Sequence, residues 1–339
     1  MKSVFILIVS ACMSMSVVAQ QPQEGESPTK PSAQQPAPTD QQQVEPQPTA
    51  KQWLQRLSNS LRQLNFDTSF VVVRNNRAEP YRWLHGIEDG RELELISLLN
   101  GPRKEAVRVD NTVSYFESNQ QPYSVTTDSI SGPIPRAFTS DIEKVHQSYD
   151  LVEVGKSRIL GRPAQLIRLV SKDKQRFGYW VWLDIESGLL LKAAIINGEG
   201  ELLEQIQFTH LTISEHSNEM LKQLLEAELP KTHDNPLEVS QAQLNWRVNW
   251  LPNGFDMLES NQHFVETINL PVDFLLFNDG LVDVSVYVSA TDEAPRKSSI
   301  NQTGATVLLS QIREGYEINV VGKVPAQTAN AIADSITFN

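Results

Sequence analysis

Cysteine is almost missing from this chain. The 339 residues include one, Cys12, so an intrachain disulfide and a dithiol redox pair are excluded. Long apolar runs are missing too. Residues 4–18 are apolar or small throughout, yet they fall short of the ~20 residues that a bilayer-spanning helix needs. Basic charge is scarce: 29 Lys and Arg stand against 41 Asp and Glu, a net charge of −12. That balance excludes nucleic acid as an expected partner. Catalytic signatures are also lacking. His85, His146, His210, His216, His233 and His263 are the six histidines, and they form no HExxH pair. No GxSxG elbow and no GxxxxGK[ST] phosphate loop occurs. Carboxylates are plentiful, but Asp184 and Glu186 follow a strand into a turn and read as turn and surface groups. No catalytic residue, metal site or cofactor is expected, and the chain does not read as an enzyme.

What is present divides the chain. Met1-Lys2 opens an apolar stretch that ends in Val17-Val18-Ala19, the pattern of a signal peptide over residues 1–19. Val9-Ser10-Ala11-Cys12 also fits a lipoprotein cleavage box, so anchoring at Cys12 is the lesser alternative. Residues 20–50 are Gln, Pro and small polar residues and read as a disordered tether. In TAKQWLQRLSNSLRQL, Leu54, Leu57, Leu61 and Leu64 recur at three- and four-residue steps, which predicts a helix capped by Thr49. About eleven strand-like runs follow between residues 65 and 213, broken at 129–148 by a loop with Gly132, Pro133 and Pro135. A meander of this length predicts a large curved sheet or barrel. Residues 217–229 read as a helix stopped by Pro230, within a helix-and-linker segment over 216–237.

A second β-rich unit spans 238–339. Asn278-Asp279-Gly280 predicts a hairpin over 273–289, residues 290–304 read as a mobile loop, and a helix is expected after Pro325. Trp246 and Trp250 are expected to fill the small core. Charge separates the units: residues 51–215 carry 20 basic and 21 acidic side chains, residues 238–339 carry 5 and 12. The fold class is therefore α+β, mostly β.

RFGYWVWLDIESG, residues 176–188, is a strand with two apolar faces. Phe177, Tyr179, Val181 and Leu183 point one way and Trp180 and Trp182 the other. A strand with one wet face should be polar at every second position. Either a second layer covers the other face or a ligand does. Trp83, Phe116, Trp180 and Trp182 are the candidates for an apolar, lipid-facing surface, with core packing as the alternative. Phe274, Phe277, Arg296 and Lys297, with the terminal helix, are the candidates for a partner surface in the second unit.

Four stretches carry a resemblance: LNGPRKEAVRVDNTVSYFE, GRPAQLIRLVSKDKQRFGYWVWLDIESGLLLKAAIINGEGELLEQIQFTHL, NWRVNWLPNGFDML and VVGKVPAQTANAIADSITF. The second is similar to the signature region of the LolA/LolB-type lipoprotein-binding fold. Together, over residues 51–339, they resemble the RseB/MucB family of periplasmic sigma-E regulatory proteins. The resemblance implies an unclosed β-barrel of about eleven strands with helices on its concave face (51–215) and a smaller C-terminal sheet domain with a terminal helix (238–339). It implies a soluble periplasmic protein that binds the periplasmic segment of an anti-sigma factor of the RseA/MucA type. Bound, it would shield that segment from regulated proteolysis until lipopolysaccharide or another acyl-chain lipid releases it. A LolA-type lipid or lipoprotein carrier is the alternative, and self-association is left open. The long tether of residues 20–50 departs from the family pattern.

Overall fold

The computed structural model describes residues 47–139, 142–232, 237–238, 244–265 and 270–339. The expected signal peptide, Cys12 and nearly all of the 20–50 tether lie outside them.

Helix α1 spans Ala50–Gln63, with Trp53, Leu54, Leu57 and Leu61 buried along one face. Thr49 caps it as the sequence predicts. Its hydroxyl accepts from the Gln52 N–H, and the Gln52 side chain accepts the Thr49 N–H at 2.7 Å, so two orphan donors are satisfied reciprocally.

Eleven strands follow. They are β1 (Asn65–Arg74), β2 (Arg77–Glu88), β3 (Arg91–Leu98), β4 (Lys104–Val109), β5 (Thr112–Glu117), β6 (Tyr123–Thr126), β7 (Tyr149–Ile159), β8 (Arg162–Ser171), β9 (Gly178–Asp184), β10 (Leu190–Ile196) and β11 (Leu202–Ser214). They form one antiparallel sheet in the order β6-β5-β4-β3-β2-β1-β11-β10-β9-β8-β7. The sheet is not closed, because β6 and β7 are its two edges. Helix α1 touches both β2 and β7, which would lie about 29 Å apart across six flat strand spacings. The sheet therefore curls around α1, and the face toward the helix is concave. Phe66, Phe70, Val72, Tyr179, Val181 and Leu183 share that face and belong to the same buried cluster as the helix.

The open seam is filled from within. The segment after β6 sends Ile130, Ile134 and Phe138 into the core. Helix α2 (Ile142–Ser148) adds Ile142 and Val145.

The helix expected over 217–229 is shorter. Helix α3 covers Glu219–Lys222, and a 3-10 turn covers Gln223–Leu225. Leu221 is buried on the outer face of the sheet with Leu84, Leu93, Val107 and Val109, and Leu229 packs beside them. Beyond it the chain is drawn out along edge strand β6. Ser124 donates to the Pro230 carbonyl at 2.7 Å, and Ser124 bridges to Thr232 in parallel. Pairing with the open edge holds these residues extended rather than helical.

The second unit contains β12 (Leu237–Glu238), β13 (Trp246–Val248), β14 (Asp256–Val265), β15 (Leu270–Asn278), β16 (Asp283–Ala290), β17 (Arg296–Thr303), β18 (Thr306–Arg313), β19 (Tyr316–Gly322), α4 (Ala326–Asp334) and β20 (Ile336–Phe338). Its sheet runs β12-β14-β15-β16-β19-β18-β17, and β13 pairs with β20. Two expectations are corrected. Much of the loop expected over 290–304 is strand β17, exposed along its whole length. A fully solvated edge strand shows no apolar alternation, so its sequence looks like a loop. Trp246 is buried, but Trp250 is 38% exposed. Only the first tryptophan lies on a strand that faces the core.

One hydrophobic cluster runs through both sheets. The second sheet sits across one rim of the barrel and is tied to it by buried polar contacts. Arg176, before β9, is fully buried and pairs with the equally buried Asp279 of the β15–β16 turn. It also donates to the Asn253 carbonyl and lies over the Phe255 ring. Lys323 meets the buried Glu204 at 2.7 Å, and the Gly304 N–H donates to the Asn75 side chain at 3.0 Å.

Candidate functional site

A cleft of about 1590 Å³ lies between the two sheets at the seam. One wall is the segment from Thr126 to Arg136 with Tyr115 behind it. The other is built from β14–β16, including Leu258, Glu259, Asn261, Phe274, Leu276 and Ser285, with Tyr179 and Lys323 also lining it. Pro133 and Pro135 keep the seam segment out of regular structure. Its position is fixed instead by buried isoleucines and by Ser131, whose N–H donates to the Tyr115 hydroxyl at 3.0 Å. Arg136 pairs with Asp128 at 2.6 Å. The rim carries Asp128, Glu259 and Asp283 beside apolar floor residues. An apolar groove between two units with a few polar groups at its edge is suited to holding an extended chain rather than to bond-making.

The sequence-predicted partner residues divide. Phe274 lines this cleft and packs against Tyr287 with ring centroids 5.0 Å apart. Phe277, three residues on, points to the opposite face and is buried core. Arg296 and Lys297 lie on β17, four strands from β15, roughly 19 Å across the sheet. Arg296 reaches Glu317 at 3.7 Å and Ser310 at 3.2 Å. These four residues therefore do not form one surface.

Nor do the four lipid-facing candidates. Trp83 is on the concave face, 2% exposed, and meets Phe66 edge-on at 4.9 Å. Phe116 is on the outer face, packed on the Leu84–Leu93–Val107 cluster, with the Arg103 guanidinium 5.2 Å above its ring. Trp180 and Trp182 are half-buried on the outer face too, 6.1 Å apart. The reason is parity: Tyr179, Val181 and Leu183 take the concave side, which sends the tryptophans outward. The expected shared concave surface is corrected accordingly.

What covers the second face of the aromatic strand is positive charge. The Arg168 guanidinium sits 5.1 Å from the Trp180 ring centre, and the Lys192 ammonium 4.8 Å from that of Trp182. Strand register extends this into two rows across the outer face. One runs Val152, Arg168, Trp180, Ala194, Gln205, Val73; the next runs Leu166, Trp182, Lys192, Gln207, Val71.

Two charged sites went unrecognised in the sequence. Asp184 is not a surface group: it is fully buried and accepts from Arg162 at 2.9 and 3.1 Å and from the Ser187 N–H and hydroxyl at 3.0 and 2.6 Å. Burial alone would raise its carboxyl, but those hydrogen bonds outweigh it and hold it below the usual range. Glu186 is on the surface as expected.

The second site lies on the concave face near the end of α1. His85, fully buried, has Nδ1 2.7 Å from the Leu64 carbonyl and Nε2 3.1 Å from Glu92. His85, Glu92 and Glu94 bring ligand atoms within 4.8 Å of one another, a spacing a metal could use. Arg108 occupies that space by donating to both carboxylates. The cluster is an internal ion network. Burial would raise the Glu92 carboxyl, yet hydrogen bonds from His85 and Arg108 bring it down to about 2. Alternating charges on adjacent strands were its only sequence signal, and solvent-exposed strand faces read the same way.

A half-barrel bridged at its rim to a second sheet, with a groove between them and its charged clusters spent on internal ties, defines a two-unit binding protein. The profile of the MucB/RseB N-terminal domain matches residues 49–233, and that of the MucB/RseB C-terminal domain matches residues 240–337. The chain belongs to the MucB/RseB family of sigma-factor regulatory proteins. The sigma-E factor regulatory protein RseB of Salmonella typhimurium is 33% identical over 292 residues, covering 86% of this chain and 91% of the relative. The sigma factor AlgU regulatory protein MucB of Pseudomonas aeruginosa is 33% identical over 295 residues, covering 85% and 90%. These relatives are regulators, not enzymes. A crystal structure of MucB in complex with MucA(peri) is 31% identical, covers 86% of this chain and 99% of its own, and superimposes with a TM-score of 0.69. The Pseudomonas aeruginosa MucA/MucB complex gives 0.70 at 31% identity, covering 86% and 99%. A crystal structure of MucB gives 0.59 at 30% identity, covering 86% and 98%.

Proposed function

We propose that this chain is a soluble periplasmic negative regulator of a sigma-E-type envelope-stress response. It binds the periplasmic segment of a membrane-spanning anti-sigma factor of the RseA/MucA type and shields that segment from regulated proteolysis. Lipopolysaccharide or a related acyl-chain lipid releases it. The likeness to MucB bound to MucA(peri) over 86% of the chain carries this reading. The better superposition on the two complexes than on the MucB crystal structure supports a partner-ready arrangement of the two sheets. The cleft lined by Phe274, Tyr115 and the seam segment is the groove in which we place part of the partner chain. Among the described residues no helix is long and apolar enough to cross a membrane. A ligand releases the partner if it binds the free form better than the complex. The LolA-type carrier alternative finds less support, because α1 and the seam segment pack the concave face that a carried acyl chain would occupy.

Calorimetric titration of the protein with the periplasmic segment of its anti-sigma factor, with and without lipopolysaccharide, tests the reading. Binding that lipopolysaccharide weakens is the expected result. Phe274→Asp is expected to weaken binding about tenfold or more, as loss of a buried aromatic anchor does. Failure of the wild-type protein to bind would overturn the reading.

A further inference from the structure

The outer face of the large sheet holds the feature that this function leaves unused. Strands β7–β11 and β1 present the two rows through Trp180 and Trp182 on its convex side. The rows include two formal charges, Arg168 and Lys192, both positive. Elsewhere in the sheet Arg82, Arg108 and Arg162 each hold a carboxylate. Among the described residues, Arg168 and Lys192 form no ion pair. They rest on indole faces instead. Exposed Val152, Val154, Val170 and Leu202 surround them. Asp150, on edge strand β7, faces Lys172 at 3.8 Å. The part of the chain that bears this face is close to neutral, with 20 basic and 21 acidic side chains over residues 51–215, so the two cations are not swamped by the acidic balance of the whole.

We infer that this face docks the protein onto an anionic phospholipid bilayer. A convex surface cannot enclose a small ligand, but it can rest against a plane. Indole rings favour the polar–apolar boundary of a bilayer. Arg168 and Lys192 can extend their charged heads to lipid phosphates while their stems stay against the tryptophans. The flanking valines supply apolar area at the acyl boundary. The same geometry explains why a strand buried on one side carries aromatics on the other.

Co-sedimentation of the full chain with vesicles tests the inference. Phosphatidylglycerol-rich vesicles should bind it well above phosphatidylcholine vesicles, and high salt should release it. Arg168→Gln with Lys192→Gln should lower partitioning roughly fivefold per cation, about thirtyfold for the pair, while circular dichroism and anti-sigma binding stay unchanged. Brominated lipid should quench the wild-type fluorescence, and a Trp180→Phe, Trp182→Phe protein should lose that quenching; this readout serves if the charge variant misfolds. Equal binding to neutral and anionic vesicles, or quenching that survives loss of both tryptophans, would overturn the inference. So would displacement by millimolar inorganic phosphate, which would indicate a free-anion site instead. Anti-sigma binding is a separate measurement, so failure here leaves the proposed function standing.

Discussion

At the scale of single residues, charge buried on the concave side separates this chain from a plain hydrophobic barrel. Glu92, half-buried beside the buried Arg108 and Glu94, gives the clearest readout. Its folded carboxyl titrates near 2, below the range of an unfolded one, so the unfolded state binds the proton more readily. Its contribution to stability is therefore complete above the ordinary carboxylate range and drains away as pH falls toward 2. Glu92→Gln is expected to be less stable than wild type at neutral pH. It should also lose less stability between neutral pH and about pH 3. Urea midpoints at both pH values check this, and parallel acid losses in the two proteins would refute it. Faces, by contrast, were not legible residue by residue. Trp180 and Trp182 could be paired with each other from sequence, but not assigned a side. That assignment depends on where α1 lies and on bulges such as the one at Glu153/Gly155, which change parity within a strand.

At the scale of elements, local signals that a packed neighbour reinforces were readable. Thr49, Gln52 and the leucine spacing locate α1, and Asn75-Asn76, both with positive φ, mark the β1–β2 turn. Thr49→Ala should cost about 1 kcal/mol through loss of the cap. Thermal unfolding would measure it, and an unchanged midpoint would mean that packing alone holds the helix start. Elements set by distant partners were not readable. Residues 226–229 follow a good helical pattern, yet the helix gives way to a turn there and the chain is drawn along β6 from Pro230 to Thr232, and β17 is a strand because β18 offers it an edge rather than because its own residues ask for one. The cleft escaped for the same reason, since its walls are more than a hundred residues apart in sequence.

At the scale of the whole molecule, the two units share a core and a set of buried ties, so they should unfold together. Asp279 is the most sensitive of these ties. Removing one partner of a buried ion pair costs about 3–5 kcal/mol, and because Asp173 still reaches Arg176, Asp279→Ala should fall near the lower end. Asp279→Asn should lose less, since its amide oxygen can still accept from the Leu281 and Val282 N–H groups that Asp279 now binds. Chemical denaturation would show both, and an alanine variant as stable as wild type would mean that the apolar cluster alone joins the sheets. The strand order has a further consequence, one of timing. The barrel opens between β6 and β7, which are consecutive in the chain, and closes its middle with β1 against β11, whose paired residues Asn65 and Ser214 lie at opposite ends of the domain. Each half can zip up as a local meander as soon as it emerges. The central pairing must wait for the last strand and carry the largest loop-closure entropy, so the rate of folding is set there. Until β11 arrives, β1 presents a ten-residue open edge, and that interval is when the folding chain is most exposed to aggregation and to proteases.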